Sequence, residues 1–365
     1  MINYENKVYA QIQDVDNSIG FYEGMENALS ITKCLKTQDA HNLTIVIVNW
    51  NGGDLLLRCL ASIRSSEFPS VVKVIVIDNN SVDGSRERVH CEFPEFSVIN
   101  SGGNIGFGRG NNLARPLVDT ELVLFLNPDT ELRPDTLQRT VECLVHRPDV
   151  GALSCKMVYK DGTIHEQGLQ WFPNPATVFL ELLLPEWTRR GWMQGWLPRL
   201  DPLQSGEVLK LYGGFILARR EVLDLVGWFD ERYFMYAEDV DLSRSICELG
   251  WKLYYLAETE IVHVVGGSSE RTPNGFSVLM KQHSINQLMQ KYHGPLGSVM
   301  HRLAVASAAG MRLVTLAVIW PGFRLLGRPL AGWRDAYWKS QLLLKWAWGL
   351  KNALIPEYSK TKSLS

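Results

Sequence analysis

The chain has 365 residues, 46% hydrophobic and 21% charged, with a formal net charge of −2. That balance excludes a disordered polyelectrolyte and lacks the basic footprint of a nucleic-acid binder, so no nucleic-acid partner is expected. It leaves a globular α/β chain long enough for one large domain plus accessory segments. The cysteines at 34, 59, 91, 143, 155 and 247 form no C-x-x-C pair and no zinc-spaced cluster, which fits reduced thiols packed as small apolar residues. The amino terminus has neither a basic n-region nor an apolar run, so no cleaved signal peptide is expected.

Residues 1–42 are polar and mildly acidic and read as a peripheral extension. From residue 43 the pattern changes. LTIVIVNW (43–50) predicts a buried strand running into a polar loop, and LLLRCLASIRSS (55–66) has helical apolar spacing. VVKVIVIDNNS (71–81) predicts a second strand, RERVHCEF (86–93) a helix and SVIN (97–100) a third strand. FGRGNNLARPLV (107–118) reads as a loop entering a helix, and ELVLFLNPDTEL (121–132) as a strand ending in Asn127-Pro128-Asp129. Apolar runs alternating with helical patterns predict βαβ units and a mainly parallel sheet flanked by helices. Asn49, Asp78, Asn104 and Asp129 then fall on the strand-end rim where open α/β sheets bind ligands. Ordinary turn chemistry would put the same residue types there.

Residues 171–202 are rich in Trp and Pro and read as loops and a short helix. LKLYGGFILARR (209–220) reads as a strand interrupted by Gly213-Gly214, a place for close backbone approach to a ligand. EDVDLSRSICELG (238–250) predicts a helix with an acidic first turn, and KLYYL and EIVHV two further short strands. Trp228, Tyr233 and Tyr236 are candidate apolar walls for a ligand ring or ordinary core.

Asp129, emerging from a strand, suits a hard divalent cation or a turn and helix cap. Glu238, Asp239 and Asp241 cannot all face one site, because successive helical residues point about 100° apart. One of them can cap the helix or meet its dipole while another takes a proton from a hydroxyl. His263 is a candidate metal ligand or a structural histidine. The glycine-rich stretch 102–110 holds no G-x-G-x-x-G register, and no P-loop, G-x-S-x-G or H-E-x-x-H occurs, which disfavours dinucleotide, phosphate-loop and common hydrolase chemistries.

Beyond about residue 299, ten Lys/Arg face only Asp335 and Glu357, with five tryptophans interleaved. LAVASAAGMRLVTLAVIW (303–320) carries Arg312 near its middle, which costs at least about 2.5–3.5 kcal/mol on insertion. The segment therefore predicts interfacial helices on an anionic leaflet rather than a span, or else an appendage packed on the domain or on a second copy.

Taken in order, IVIVNWNG, VIVIDNNSVDGS, NIGFGRGNN, LFLNPDTEL, the long segment YGGFILARREVLDLVGWFDERYFMYAEDVDLSRSICELGWKL and HVVGGSS resemble glycosyltransferase family 2, of GT-A fold, over roughly 43–270. The N-x-G-F-x-x-G-N-N, N-P-D and H-x-x-G-G-S forms are most similar to its bacterial rhamnosyltransferase-like branch. The resemblance implies a nucleotide-sugar-binding half (43–132), an acceptor half (133–270) and a helical C-terminal region (271–365). It implies that Val48, Asn49 and Asp78 hold the base and ribose. Asn104, Gly106 and Asn111 would lie along the nucleotide or sugar, and Gly213 and Gly214 would border donor sugar and acceptor. Asp129, with His263, would bind Mg²⁺ or Mn²⁺ on the diphosphate, and Asn127 replaces the first acid of the commoner Asp-x-Asp. Asp239 would be the general base, with Glu238 supporting the acceptor. The implied activity is inverting transfer of a sugar, with dTDP-rhamnose as the suggested donor, to a glycan or lipid-linked acceptor of the cell envelope. UDP-galactofuranose or UDP-GlcNAc as donor, or a non-catalytic scaffold, are the alternatives. A cytoplasmic protein held peripherally on the inner face of the membrane, with a homo-oligomer open, completes the expectation.

Overall fold

The computed structural model describes residues 42–68, 70, 72–165, 171–183, 200–264, 275–325 and 332–350. The expected N-terminal extension up to residue 41, much of the Trp- and Pro-rich stretch, and the Gly-Gly-Ser-Ser after His263 lie outside them. The strands are β1 (Leu43–Asn49), β2 (Val72–Asp78), β3 (Ser97–Asn100), β4 (Leu122–Leu126), β5 (Thr130–Leu132), β6 (Val150–Val158), β7 (Gly206–Val208), β8 (Phe215–Arg219) and β9 (Lys252–His263). The helices are α1 (Gly53–Arg64), α2 (Ser85–Glu92), α3 (Phe107–Leu113), α4 (Thr136–Val145), α5 (Pro175–Leu183), α6 (Arg220–Val226), α7 (Glu238–Glu248), α8 (Phe276–Leu325) and α9 (Trp333–Ala347).

All the strands join one sheet in the order β3-β2-β1-β4-β8-β6-β9-β5, with β7 pairing to β9. Every residue of β1 is buried, as expected of a central strand covered on both faces. Its alternation divides the core. Leu43, Ile45 and Ile47 pack with Leu56 and Leu60 of α1 and Val141 and Leu144 of α4. Val46 and Val48 point the other way, into a cluster with Trp228, Phe229 and Ile246. Each fully buried aliphatic side chain contributes about 1.5–3 kcal/mol, so both faces resist slippage of β1.

β3, β2, β1 and β4 run parallel, whereas β8 enters between β4 and β6 antiparallel to both. The sheet is thus mixed, and the reversal matters for the site. Leu126 pairs with Phe215, which brings the loop after β4 beside the residues just before β8. Two strand expectations change. The stretch before Gly213-Gly214 is not strand, and β8 begins only at Phe215. KLYYL and EIVHV are one strand, because β9 continues through a register shift against β6.

α8 breaks at Gly294, where φ is 65° and ψ −167°. Asn286 Nδ2 donates to Ser298 Oγ at 3.0 Å, and His301 Nδ1 lies 3.1 Å from Asn286 Oδ1. In a straight helix residues 286 and 301 would stand about 22 Å apart, so the chain doubles back here. The second arm packs on α9 through Val305, Ala309, Leu343 and Trp346. Arg302 donates to the terminal carbonyls of Trp346 and Ala347 at 2.9 and 3.0 Å, capping α9. The outward face of the same arm exposes Leu303, Met311, Val314 and Val318.

Candidate active site

The strand ends do form a rim. Asn49 and Asp78 are register partners on β1 and β2, both fully buried. Asn49 Nδ2 donates to Asp78 Oδ1 at 3.0 Å and also contacts the hydroxyls of Ser81 and Ser85, while its Oδ1 accepts from Gly52 N at 3.1 Å. Asp78 Oδ2 accepts from Ser81 N at 3.1 Å. Both side chains therefore brace the two loops from beneath. Val48 lies under α3, where a Cβ on Gly110 would come within 2.9 Å of it.

The Gly102–Gly110 stretch has a steric logic invisible in sequence. Gly106 has φ +89°, and a Cβ there would meet the Phe234 carbonyl oxygen at 2.3 Å. Phe107 N donates to that same carbonyl at 2.8 Å. Asn104 Oδ1 accepts from Gly106 N at 3.2 Å, Asn111 Nδ2 donates to Phe107 O at 3.0 Å, and Asn79 Nδ2 donates to Gly106 O at 3.0 Å. Asn79 and Asn111 each keep a buried Oδ1 with no hydrogen-bond partner among the described residues.

Asp129 and His263 meet. β5 runs antiparallel to β9 with Thr130 opposite His263, and His263 Nε2 stands 3.3 Å from Asp129 Oδ1. Both side chains are about 15% exposed. Asn127 N donates to Gly214 O at 3.1 Å. A Cβ on Gly214 would lie 3.2 Å from the Met157 thioether and 3.7 Å from His263 Cε1, leaving little room for a side chain. His165, which the sequence reading passed over, places its ring centroid 5.6 Å from that of His263.

On the other side of the glycine pair, Gly213 N donates to Asp239 Oδ2 at 3.2 Å, and Val240 N to Asp239 Oδ1 at 2.8 Å. Burial raises the Asp239 pKa above the usual carboxylate range, against these hydrogen bonds and the Lys210 charge, which pull it down. Glu238 is buried with Oε2 unpartnered among the described residues, and burial, then the Asp239 charge, push it up to about 8. Tyr236 and Ala237, immediately before the acids, both have φ +67°. Non-glycine residues held there cost about 1–3 kcal/mol each and cluster at functional sites.

Asp241 faces elsewhere, bonded to Tyr233, Lys291 and Tyr292. The three acids diverge as their helical spacing requires. Trp228 and Tyr233 are buried core, with Trp228 edge-on to Phe125, so neither forms a wall of the cleft.

The chain belongs to glycosyl transferase family 2, whose profile matches residues 44–227. It is 31% identical over 246 residues to the N-acetylglucosaminyl-diphospho-decaprenol L-rhamnosyltransferase of Mycobacterium tuberculosis, covering 63% of this chain and 78% of that protein. It is 26% identical over 226 residues to rhamnosyltransferase WbbL of Escherichia coli K12, covering 60% and 82%. Among solved structures, the mannosyltransferase PcManGT of Pyrobaculum calidifontis, in complex with GDP-Man and Mn²⁺, superposes with a TM-score of 0.49 at 18% identity, covering 90% of this chain and 95% of that one.

Proposed function

We propose that this glycosyltransferase transfers rhamnose from dTDP-rhamnose, with inversion, to a lipid-linked glycan acceptor in bacterial envelope synthesis. The observation that carries the mechanism is the Gly213-Gly214 pair, with the Asp239 carboxylate bonded to the first glycine and His263 beside the second. The donor and acceptor assignment rests on the rhamnosyltransferases to which the chain is similar.

Asp239 is the base. Its raised pKa makes it a better proton acceptor than an exposed carboxylate, while the Gly213 and Val240 amides fix its orientation. It takes the proton from an acceptor hydroxyl as that oxygen bonds to the anomeric carbon from the face opposite the nucleotide. The bond from that carbon to the diphosphate oxygen breaks, and the electron pair leaves with the dTDP. Glu238, whose pKa burial and then the Asp239 charge push upward, supports the acceptor beside it.

Asp129 and His263 suit a Mg²⁺ or Mn²⁺ ion that takes its remaining ligands from substrate. No group of three His, Cys, Asp or Glu side chains placed to hold a metal occurs among the described residues, so diphosphate oxygens would complete the set. Such an ion, when bound, offsets the charge developing on the leaving diphosphate. Asn127 can add a carbonyl oxygen. Asn49, Asp78 and Val48 support the loops that receive the base and ribose, and Asn104, Gly106 and Asn111 the segment alongside the sugar.

The exposed apolar face of α8 supports attachment to the cytoplasmic face of the membrane, where a lipid-linked acceptor resides. The decisive experiment is a turnover screen of dTDP-rhamnose, UDP-GlcNAc and UDP-galactofuranose with Mn²⁺ or EDTA. The reading expects dTDP-rhamnose to be used and EDTA to stop turnover. Preference for a UDP-sugar overturns the donor, and full activity in EDTA overturns the metal.

A further inference from the structure

The segment between α6 and α7 leads directly into Glu238 and Asp239 and contains the strained pair Tyr236 and Ala237. Such backbone persists only where its surroundings over-determine it. On one side the segment is held by α3, where Phe107 N donates to Phe234 O and Asn112 bonds the backbone of Phe229, and on the other by one short stretch of α8. Lys291 Nζ donates to Asp230 Oδ2 at 2.9 Å and to Asp241 Oδ2 at 2.8 Å. Asp230 lies near the start of the segment and Asp241 in the first turn of α7, so one ammonium links its two ends. Tyr292 Oη donates to Asp241 Oδ1 at 2.9 Å, and Ser284 Oγ to the Met235 carbonyl at 2.7 Å. Leu288 and Met289 pack beneath Tyr233 and Ala237.

We propose that Lys291 is a positioning residue for the transfer reaction, buckling residues 230–241 so that the Asp239 carboxylate stays against Gly213. The inference rests on Asp239 being the base. The Asp241 side chain is only 3% exposed, and with Asp230 it gives Lys291 two carboxylates to neutralise. The neighbouring cations are otherwise engaged. Arg232 pairs with Asp230 at 2.9 Å from the solvent side, and Arg244 stacks on the Tyr292 ring at 3.6 Å. Neither spans the segment, so its closure falls to Lys291.

The test uses the full chain with Lys291→Met, Lys291→Arg and Asp230→Asn, read by hydrogen exchange and by turnover of dTDP-rhamnose. Lys291→Met should speed exchange across residues 228–241 while leaving β1 and β2 unchanged. Its kcat should fall about 100-fold, the scale of an ångström-sized misplacement, with the donor KM within about twofold. Lys291→Arg should recover part of kcat, because a guanidinium can reach both carboxylates. Unchanged exchange over 228–241, or kcat and donor binding lost together in a folded protein, overturns the proposal. If Lys291→Met does not fold, Asp230→Asn opens only one end of the buckle and should show both effects in weaker form. No change in either readout in that variant overturns it equally. Wild-type protein that ignores dTDP-rhamnose refutes the donor assignment instead, and the exchange experiment still decides the role of Lys291.

Discussion

The amide of Gly213 points at the carboxylate of Asp239, with N to Oδ2 at 3.2 Å, and the next residue's carbonyl accepts from Asn127 N at 3.1 Å. Two adjacent glycines thus tie the loop carrying Asp129 to the helix carrying Asp239. Replacing the Asp239 carboxylate by an amide keeps the shape and removes the proposed base. Asp239→Asn should lower kcat by roughly 10²–10⁴-fold while donor affinity, read by calorimetry, stays within about threefold. Loss of donor affinity instead would mean that Asp239 serves binding.

The proposed metal role of Asp129 and His263 predicts opposite effects for two substitutions. His263→Ala should raise the Mn²⁺ concentration for half-maximal turnover by at least the roughly 10–100-fold seen when even outer-sphere partners are lost. Asn127→Asp restores a second carboxylate and should lower it. Titration of Mn²⁺ at saturating donor measures both, and an unchanged midpoint in His263→Ala would remove that residue from the site.

Glu238 makes stability depend on pH in an unusual direction. Its ordinary pKa of 4.5 applies to the unfolded chain, whereas burial and then the Asp239 charge raise it to about 8 in the fold. The native state holds the proton more tightly, so this contribution is fully present below pH 4.5 and is lost as pH rises towards 8, levelling off above it. Glu238→Gln should flatten that decline. Urea midpoints at about pH 5 and about pH 8.5 compare the two proteins, and parallel declines would exclude Glu238 as the cause.

Much of this site could be read from the chain because strand ends advertise themselves. The apolar runs of β1, β2 and β4 stop at Asn49, Asp78 and Asn127, so the rim follows from hydrophobic pattern alone. Strand direction does not, since a period of two is the same for parallel and antiparallel pairing, and the reversal of β8 stayed hidden for that reason. The division of labour among Glu238, Asp239 and Asp241 was foreshadowed by helical geometry, but the partner of Asp241 lies 50 residues further on, at Lys291. His-Gly-Pro at 293–295 was a legible breaker signal for the bend in α8.

Two glycines of the 102–110 stretch should respond differently to one added methyl group. Gly106→Ala drives a Cβ to 2.3 Å from a backbone oxygen at φ +89° and should cost about 3 kcal/mol or more. Gly102→Ala meets nothing within 4 Å, so only its φ of +78° matters. That costs about 1 kcal/mol. Urea unfolding of the two variants measures the contrast, and equal losses would mean that the Phe234 contact yields easily.

The apolar arm of α8 can be assayed directly. Co-sedimentation with phosphatidylglycerol vesicles should retain the wild-type chain. Leu303→Glu with Val314→Glu should weaken retention about tenfold or more, because each buried aliphatic side chain contributes ~1.5–3 kcal/mol. Equal retention would place the lipid contact elsewhere.

The contact between Gly106 and Phe234 also sets a mechanical limit. It joins the segment after β3 to the one leading into Asp239, through a backbone hydrogen bond of 2.8 Å with no space for a methyl group. A hinge working between these two segments would tear that bond at every turnover. That contact therefore holds the two segments in register with each other.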